Sequence, residues 1–334
     1  MDSDNFDFKI GIIGPTRVGK TSLVTALLDD SQRLLAGTPV SMEALGTTKA
    51  RIKQHKEELR GSLMAGEFDP GHLSGTQEPF TFELALSVDR YSLRLAVLDY
   101  PGAWLDSSSR SPRDEARWQA ECEPWLKSSA VLLIPIDAAV AMESTLRAEH
   151  TAAIKTLQVT EAEQVARRWA KARKGAEDRG LLILAPLKCE SYFADNGGIR
   201  NRSEELQRRV HELYGDLLDA VRQEAGTLVD VQYHPVDTFG CVEVKRAEWT
   251  MAGGRSADLV FHAEYLVRPP GRLAPKGADG ILIALCRHLI QAQASRDHGL
   301  LGNFWRWITG ERRHLKEGVE GLAQKDFGPR VKSL

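Results

Sequence analysis

Gly14-Pro15-Thr16-Arg17-Val18-Gly19-Lys20-Thr21 follows an apolar run containing Phe8, Ile10, Ile12 and Ile13, and opens a segment with helical spacing at Leu23, Val24, Leu27 and Leu28. A strand, a loop bounded by two glycines, Lys-Thr and then a helix is the P-loop pattern in the context it requires. The glycines let consecutive backbone N–H groups curl into an anion nest at a helix N-terminus, where the helix dipole also favours negative charge. Lys20 then reaches the terminal phosphates, and the Thr21 hydroxyl is placed to ligate Mg2+. The expected phosphate-binding set is Gly14, Pro15, Thr16, Arg17, Val18, Gly19, Lys20, Thr21 and Ser22. A plain glycine-rich turn is the alternative, and the correct flanks on both sides disfavour it.

The run Leu93-Arg94-Leu95-Ala96-Val97-Leu98 reads as a buried strand and ends in Asp99-Tyr100-Pro101-Gly102, a DxxG pattern. An Asp at the carboxyl end of a strand holds a Mg2+-bound water, and the Gly offers its backbone N–H to a γ-phosphate. The loop that follows can therefore sense whether the third phosphate is present. A second strand, Phe80 to Ser87, joins this one through the short turn Val88-Asp89-Arg90.

A third apolar strand, Leu181 to Ala185, leads into Pro186-Leu187-Lys188-Cys189-Glu190. A carboxylate there accepts two hydrogen bonds from guanine, which adenine cannot offer, while the Lys188 stem packs over the purine. Leu187 stands where such loops usually carry an amide or hydroxyl that ties them to the P-loop. A surface Lys-x-Glu is the plain alternative. The last strand, Leu228 to Pro235, ends near Thr238-Phe239-Gly240, where Thr238 and Phe239 are candidates for a base-contacting loop.

Together these motifs resemble the TRAFAC class of P-loop GTPases and, more narrowly, the bacterial YcjX-like and double-GTPase families. The narrower resemblance rests on Asp99-Tyr100-Pro101-Gly102-Ala103-Trp104-Leu105, on Lys188-Cys189-Glu190 and on Ala274-Pro275-Lys276-Gly277-Ala278, and it spans about residues 8 to 296. It implies GTP/GDP binding, Mg2+ dependence and GTP hydrolysis, in stress response or bacterial self-defence. It implies that Thr76, ahead of the hairpin, is the switch threonine that contacts Mg2+ and the γ-phosphate, with Thr47 and Thr48 as rivals better suited to capping a helix. The metal ligands would be Thr21, Thr76 and Asp99, and the catalytic set Arg17, Lys20, Thr76 and Gly102. Ras-like enzymes place a Gln after DxxG to orient water; here that position is Ala103. Arg17 occupies the P-loop position where the dynamin-like guanylate-binding proteins carry an arginine finger, with Arg110, Arg113 and Arg117 as alternatives acting across a dimer.

The order of elements gives the fold class independently. Strands are expected at 8–13, 80–87, 92–99, 130–136, 181–186 and 227–235, and helices at 20–30, 112–126, about 142–174, 203–225 and 277–296. One hairpin followed by alternating strands and helices predicts an α/β fold: a Ras-like, mostly parallel sheet with one antiparallel edge strand and helices on both faces. Every motif follows the carboxyl end of a strand, where ligands bind in such sheets. Residues 1–297 are read as the P-loop domain, with insertions at about 31–75, helical by its spacing, and 241–273. Residues 298–334 form an amphipathic, net basic tail whose Leu301, Phe304, Trp305 and Ile308 align at helical spacing; packing on the body or on a partner is expected over a membrane-surface role.

Across 334 residues, 44 basic and 46 acidic side chains leave a formal net charge of −2, which argues against a general nucleic-acid binder. Cys122, Cys189, Cys241 and Cys286 form no CxxC pair and fit reduced thiols in the cytoplasm. No apolar run is long enough to span a bilayer. The expected function is a Mg2+-dependent GTPase switch that signals to a protein effector, with a nucleotide-dependent dimer open. A non-hydrolysing nucleotide-binding scaffold, an ATPase and a small-molecule kinase are the alternatives.

Overall fold

Five parallel strands build the frame on which every motif hangs. The structure is a computed structural model that describes residues 8–64, 66–69, 76–196, 200–251, 259–294 and 313–334. In chain order it begins with β1 (Phe8–Ile12), α1 (Lys20–Leu35), β2 (Val40–Ala44), α2 (Gly46–Met64) and β3 (Glu67–Phe68). The hairpin β4 (Phe80–Val88) and β5 (Tyr91–Asp99) follows, then α3 (Pro112–Arg117), a π-turn at Trp118–Cys122 and α4 (Glu123–Ser128). Next come β6 (Val131–Asp137), α5 (Ala138–Met142), α6 (Arg147–Thr156), α7 (Val159–Ala176), β7 (Gly180–Leu187), α8 (Ser203–Ala225) and β8 (Val229–Tyr233). The chain closes with β9 (Val242–Met251), β10 (Leu259–Val267), α9 (Asp279–Ala294), α10 (Arg313–Ala323) and β11 (Lys332–Ser333).

The main sheet has the order β11-β8-β7-β6-β1-β5-β4-β2, with β5, β1, β6, β7 and β8 mutually parallel. Strand residues alternate between two cores: Ile10, Val131, Leu133 and Ile183 face α1 and α9, while Leu132, Ile134, Leu182 and Leu184 face α4, α7 and α8. The result is an α/β domain with helices on both faces of a mixed, mostly parallel sheet.

Two features correct the expected topology. The hairpin strand β4 is interior, because β2 pairs antiparallel outside it from Val40↔Val88 to Ala44↔Leu84, and β11 adds an antiparallel strand to β8 at the far edge. There are thus three antiparallel pairs where one antiparallel edge strand was expected. Only Val40 and Met42 of β2 are buried, too short an alternation to stand out in a stretch whose longer signal is helical. The helices predicted at 112–126 and 142–174 are also segmented, the latter at Gln158, whose φ of 50° is left-handed.

The two insertions meet. The 31–75 segment supplies β2, α2 and β3, and the 241–273 segment forms the hairpin β9–β10, against which β3 pairs. Leu59 and Leu63 of α2, Phe68, Phe239, Val242 and Tyr265 share a small core there. In the tail, Leu315, Val319 and Leu322 of α10 are buried in the core beneath α9; the stripe Leu301, Phe304, Trp305 and Ile308 lies outside the described residues. Among the described residues no helix is long and apolar enough to cross a membrane.

If α10 is integral to the fold, Leu315→Ala leaves a cavity beside α9 and lowers the unfolding free energy by about 2–4 kcal/mol. Urea denaturation checks this; an unchanged midpoint contradicts the packing.

Candidate nucleotide and metal site

The loop between β1 and α1 is held by its strand neighbours: the Ile13 N–H donates to Leu133 O at 3.0 Å, and a side chain on Gly14 would press on Pro135 and Val18. Gly19 caps α1 with φ 106°, a conformation that favours glycine, and gives no side-chain cap to the helix. The first turn of α1 contains no acidic residue of its own to offset the positive end of the helix dipole. Lys20 is 6% exposed, and its Nζ donates to Gly14 O at 3.0 Å and Pro15 O at 3.1 Å. Burial lowers its pKa, and the Asp99 charge opposes that shift.

Asp99 ends β5 and is 0% exposed. Its Oδ2 accepts from Thr21 Oγ1 at 3.1 Å and from Thr76 Oγ1 at 2.7 Å, while Oδ1 is buried without a partner among the described residues. The three expected metal ligands are therefore brought together around one carboxylate. Thr48 is elsewhere, accepting the Glu83 N–H at 2.8 Å, and Thr47 is exposed. Two hydroxyls and a carboxylate with an unmet oxygen are hard donors, and they fit Mg2+, which takes few protein ligands and keeps water or phosphate in its remaining positions. In keeping with that economy, no cluster of three His, Cys, Asp or Glu residues suited to a metal exists among the described residues.

Gly102 completes this end. A Cβ there would collide with the backbone of Pro15 and Thr16, so the DxxG loop lies directly on the P-loop. Tyr100 is buried, with the Lys20 ammonium 5.7 Å from its ring centroid, and Trp104 and Leu105 anchor the next turn while Ala103 is exposed. Arg110 is not available to a second subunit: its side chain is buried, stacks on Trp118 at 4.1 Å and pairs with Glu115 at 2.7 Å. Arg117 stacks on Trp104 and pairs with Glu78 and Glu121, whereas Arg113 is exposed. Arg17 is exposed with φ 64° and lines a cleft of about 550 Å³ together with Asp137, Lys188 and Phe261.

Lys188, Glu190, Thr238 and Phe239 form a second cluster beside that cleft. The Lys188 N–H donates to Thr238 Oγ1 at 3.0 Å, and its Nζ is bound to Asp137 and lies 5.7 Å from the Tyr265 ring centroid. Burial lowers the Lys188 pKa, but Asp137, Tyr265 and Glu190 together outweigh it and the net shift is upward. Glu190 is 1% exposed, and its Oε1 accepts the N–H groups of Phe239 at 2.7 Å and Gly240 at 2.9 Å. This corrects the expectation of a carboxylate turned wholly toward a base: one oxygen is committed to the loop, and Oε2 is buried without a partner among the described residues. Burial first, and then Asp237, push its pKa up to about 8. Leu187 is also reinterpreted, since its side chain packs against Gly19 and gives an apolar contact to the P-loop.

Three participants carried no sequence motif. Asp137 stands at the carboxyl end of β6, a position that the strand-end rule marks, and its Oδ1 also caps α5. Arg51 on α2 donates to Thr76 Oγ1 at 3.5 Å, and Arg330 of the tail pairs with Asp195 and, at 2.8 Å, with Asp237 beside the Thr238 loop. Nothing in their local sequence distinguishes those two arginines from surface charges. A scan of protein-family models finds no match to the chain, and a search of curated proteins finds none.

The Gly102 contact makes a structural prediction. Gly102→Ala is expected to destabilise the protein by about 1–3 kcal/mol through overpacking, whereas Gly61→Ala, which meets open space on α2, is expected to be neutral or slightly stabilising. Thermal unfolding of both variants checks this; equal effects contradict the close approach.

Proposed function

We propose that this protein is a Mg2+-dependent GTP-binding and GTP-hydrolysing molecular switch. The observation that carries the reading is the meeting of Thr21 and Thr76 on the buried Asp99 at the foot of a P-loop against which Gly102 is pressed. A P-loop accounts for a phosphate site; the two further segments gathered on Asp99 account for a site that distinguishes a triphosphate from a diphosphate. Mg2+, held through Thr21, Thr76 and Asp99, would supply charge neutralisation at the phosphate oxygens. Lys20 would leave its two carbonyls to meet the terminal phosphates, and the donors at the α1 N-terminus would hold the remaining oxygens.

Base choice falls to Lys188, Glu190, Thr238 and Phe239. With Oε1 fixing the Phe239–Gly240 backbone, Oε2 is left, once Glu190 ionises, to accept from the adjacent N1–H and N2–H donors of guanine, where adenine has an N1 acceptor and a C2–H. The commitment of Oε1 is also the specific observation favouring the second reading, an ATPase, in which Glu190 only shapes the loop. The segments 31–80 and 99–118 are the surface through which a protein effector would read the nucleotide, in bacterial stress response or defence by family resemblance. Buried free thiols at Cys122, Cys189, Cys241 and Cys286 support a cytoplasmic setting.

Titration with fluorescent GTP, GDP and ATP, with and without Mg2+, tests the reading. GTP and GDP are expected to bind in Mg2+, with ATP at least about tenfold weaker. Lys20→Ala should abolish tight triphosphate binding, and Glu190→Gln and Glu190→Ala should both narrow the preference for guanine. Binding unchanged by Lys20→Ala refutes the P-loop role, and equal GTP and ATP affinities in the wild type replace the guanine reading with the ATP one.

A further inference from the structure

We infer that Arg51, carried by the helical insertion, is the arginine that joins Lys20 at the terminal phosphate, and that the P-loop arginine Arg17 is not. The inference rests on the nucleotide reading above and assigns a residue that no motif marks. Arg51 Nη2 lies 3.5 Å from Thr76 Oγ1, and Thr76 Oγ1 lies 2.7 Å from Asp99 Oδ2, so the guanidinium stands one hydroxyl away from the carboxylate on which the metal ligands converge. Its Nε is buried without a partner, and no carboxylate lies within ion-pair distance of it among the described residues. A partly buried guanidinium with an unmet donor is an unusual arrangement, because desolvating a charge costs free energy that an ion pair normally offsets. A phosphate oxygen supplies the missing acceptor and the missing charge together.

The position is built rather than accidental. The guanidinium stacks on the Phe80 ring at 4.8 Å, and Phe80 is the residue of β4 paired in register with Asp99. One helical turn farther along α2, on the same face, His55 meets Ser22 Oγ at 2.9 Å, and Ser22 follows Thr21 in the first turn of α1. Ile52 and Leu59 bury the inner face of α2, and Thr48 ties its first turn to Glu83 on β4. The helix thus presents Arg51 to Thr76 and His55 to α1 as two contacts of one rigid face. Arg17, by contrast, is exposed and lines the cleft on the Asp137 and Lys188 side.

This arrangement answers the absence of a polar group at Ala103. A guanidinium carries its charge at any physiological pH and offers a planar fork to two oxygens, so it stabilises a γ-phosphate and the charge that develops as that group leaves. In hydrolysis a water oxygen bonds to the γ-phosphorus, the bond from that phosphorus to the bridging oxygen breaks, and its electron pair stays on the β-phosphate. The water proton ends on inorganic phosphate. Arg51 moves no proton in this scheme.

Wild type, Arg51→Ala, Arg51→Lys and Arg17→Ala are compared by competitive titration with GDP and a non-hydrolysable GTP analogue in Mg2+, and by single-turnover GTP hydrolysis. Arg51→Ala should lower the ratio of analogue to GDP affinity by about tenfold or more and the hydrolysis rate by at least about a hundredfold, with GDP affinity near wild type. Arg51→Lys, which retains a stem over Phe80 and a charge, should recover part of both. A wild-type ratio and rate in Arg51→Ala overturn the inference, as does a loss confined to Arg17→Ala. Equal weakening of GDP and the analogue, with a lower melting temperature, shows a merely structural role and overturns it too. Failure of the wild type to bind either nucleotide overturns the nucleotide reading itself, an outcome distinct from all of these.

Discussion

A fully buried carboxylate that accepts from hydroxyls on two separate segments is the interaction on which the rest of this structure depends. Asp99 ends the strand beside β1, and its Oδ2 takes Thr21 from the helix and Thr76 from the loop before the hairpin. Burying such a group is costly unless its acceptor sites are met, and among the described residues Oδ1 has no donor. The fold therefore holds a strong acceptor beside the P-loop, within electrostatic reach of the Lys20 ammonium. Parallel order in β5, β1 and β6 makes this geometry possible, because it brings the carboxyl ends of all three strands to the same rim.

A second buried acidic group organises the opposite end of that rim. Glu190 fixes the Phe239–Gly240 backbone, and Asp237 next to it receives Asn196 at 2.9 Å and Arg330 at 2.8 Å. Arg330 belongs to the tail that also supplies β11 and, through α10, covers part of the core under α9. The segment carrying Arg330 is thus mechanically continuous with the loop of Thr238 and Phe239. The insertions are tied in similarly: Tyr265 of β10 lies over Lys188, and Phe239 contacts Phe68 of β3 at a centroid separation of 4.7 Å. Elements that look like decorations in a linear reading instead wall the site.

What the sequence disclosed follows from which interactions are local. The P-loop, the DxxG strand end and the order of the central strands rest on contiguous patterns, and the helix Ser203–Ala225 was legible from its apolar spacing alone. Thr76 was recognisable from its place before the hairpin by resemblance, and the structure sets it on Asp99. The remainder depends on contacts between distant residues. Strand β2 fully buries only Val40 and Met42, too few to show a period, so the sequence alone reads the hairpin strand as an edge. The direction of the Glu190 carboxylate is decided by two backbone donors about fifty residues away (|i−j| 49 and 50), and Arg51 and Arg330 acquire their surroundings only through the packing of α2 and the tail. Leu187 shows the same limit: it looked like a lost polar tether and is an apolar contact to Gly19.

The central claim is that Asp99, Thr76 and Gly102 form a detector of the third phosphate. Amide hydrogen exchange in Mg2+, comparing a non-hydrolysable GTP analogue with GDP at saturation, tests it most directly. Backbone amides around Thr76 and Gly102 should exchange more slowly in the triphosphate state, while amides in the central strands β1 and β6 remain unchanged. Equal protection of both loops in the two states, with nucleotide demonstrably bound, would contradict the account and leave a nucleotide-binding scaffold in its place.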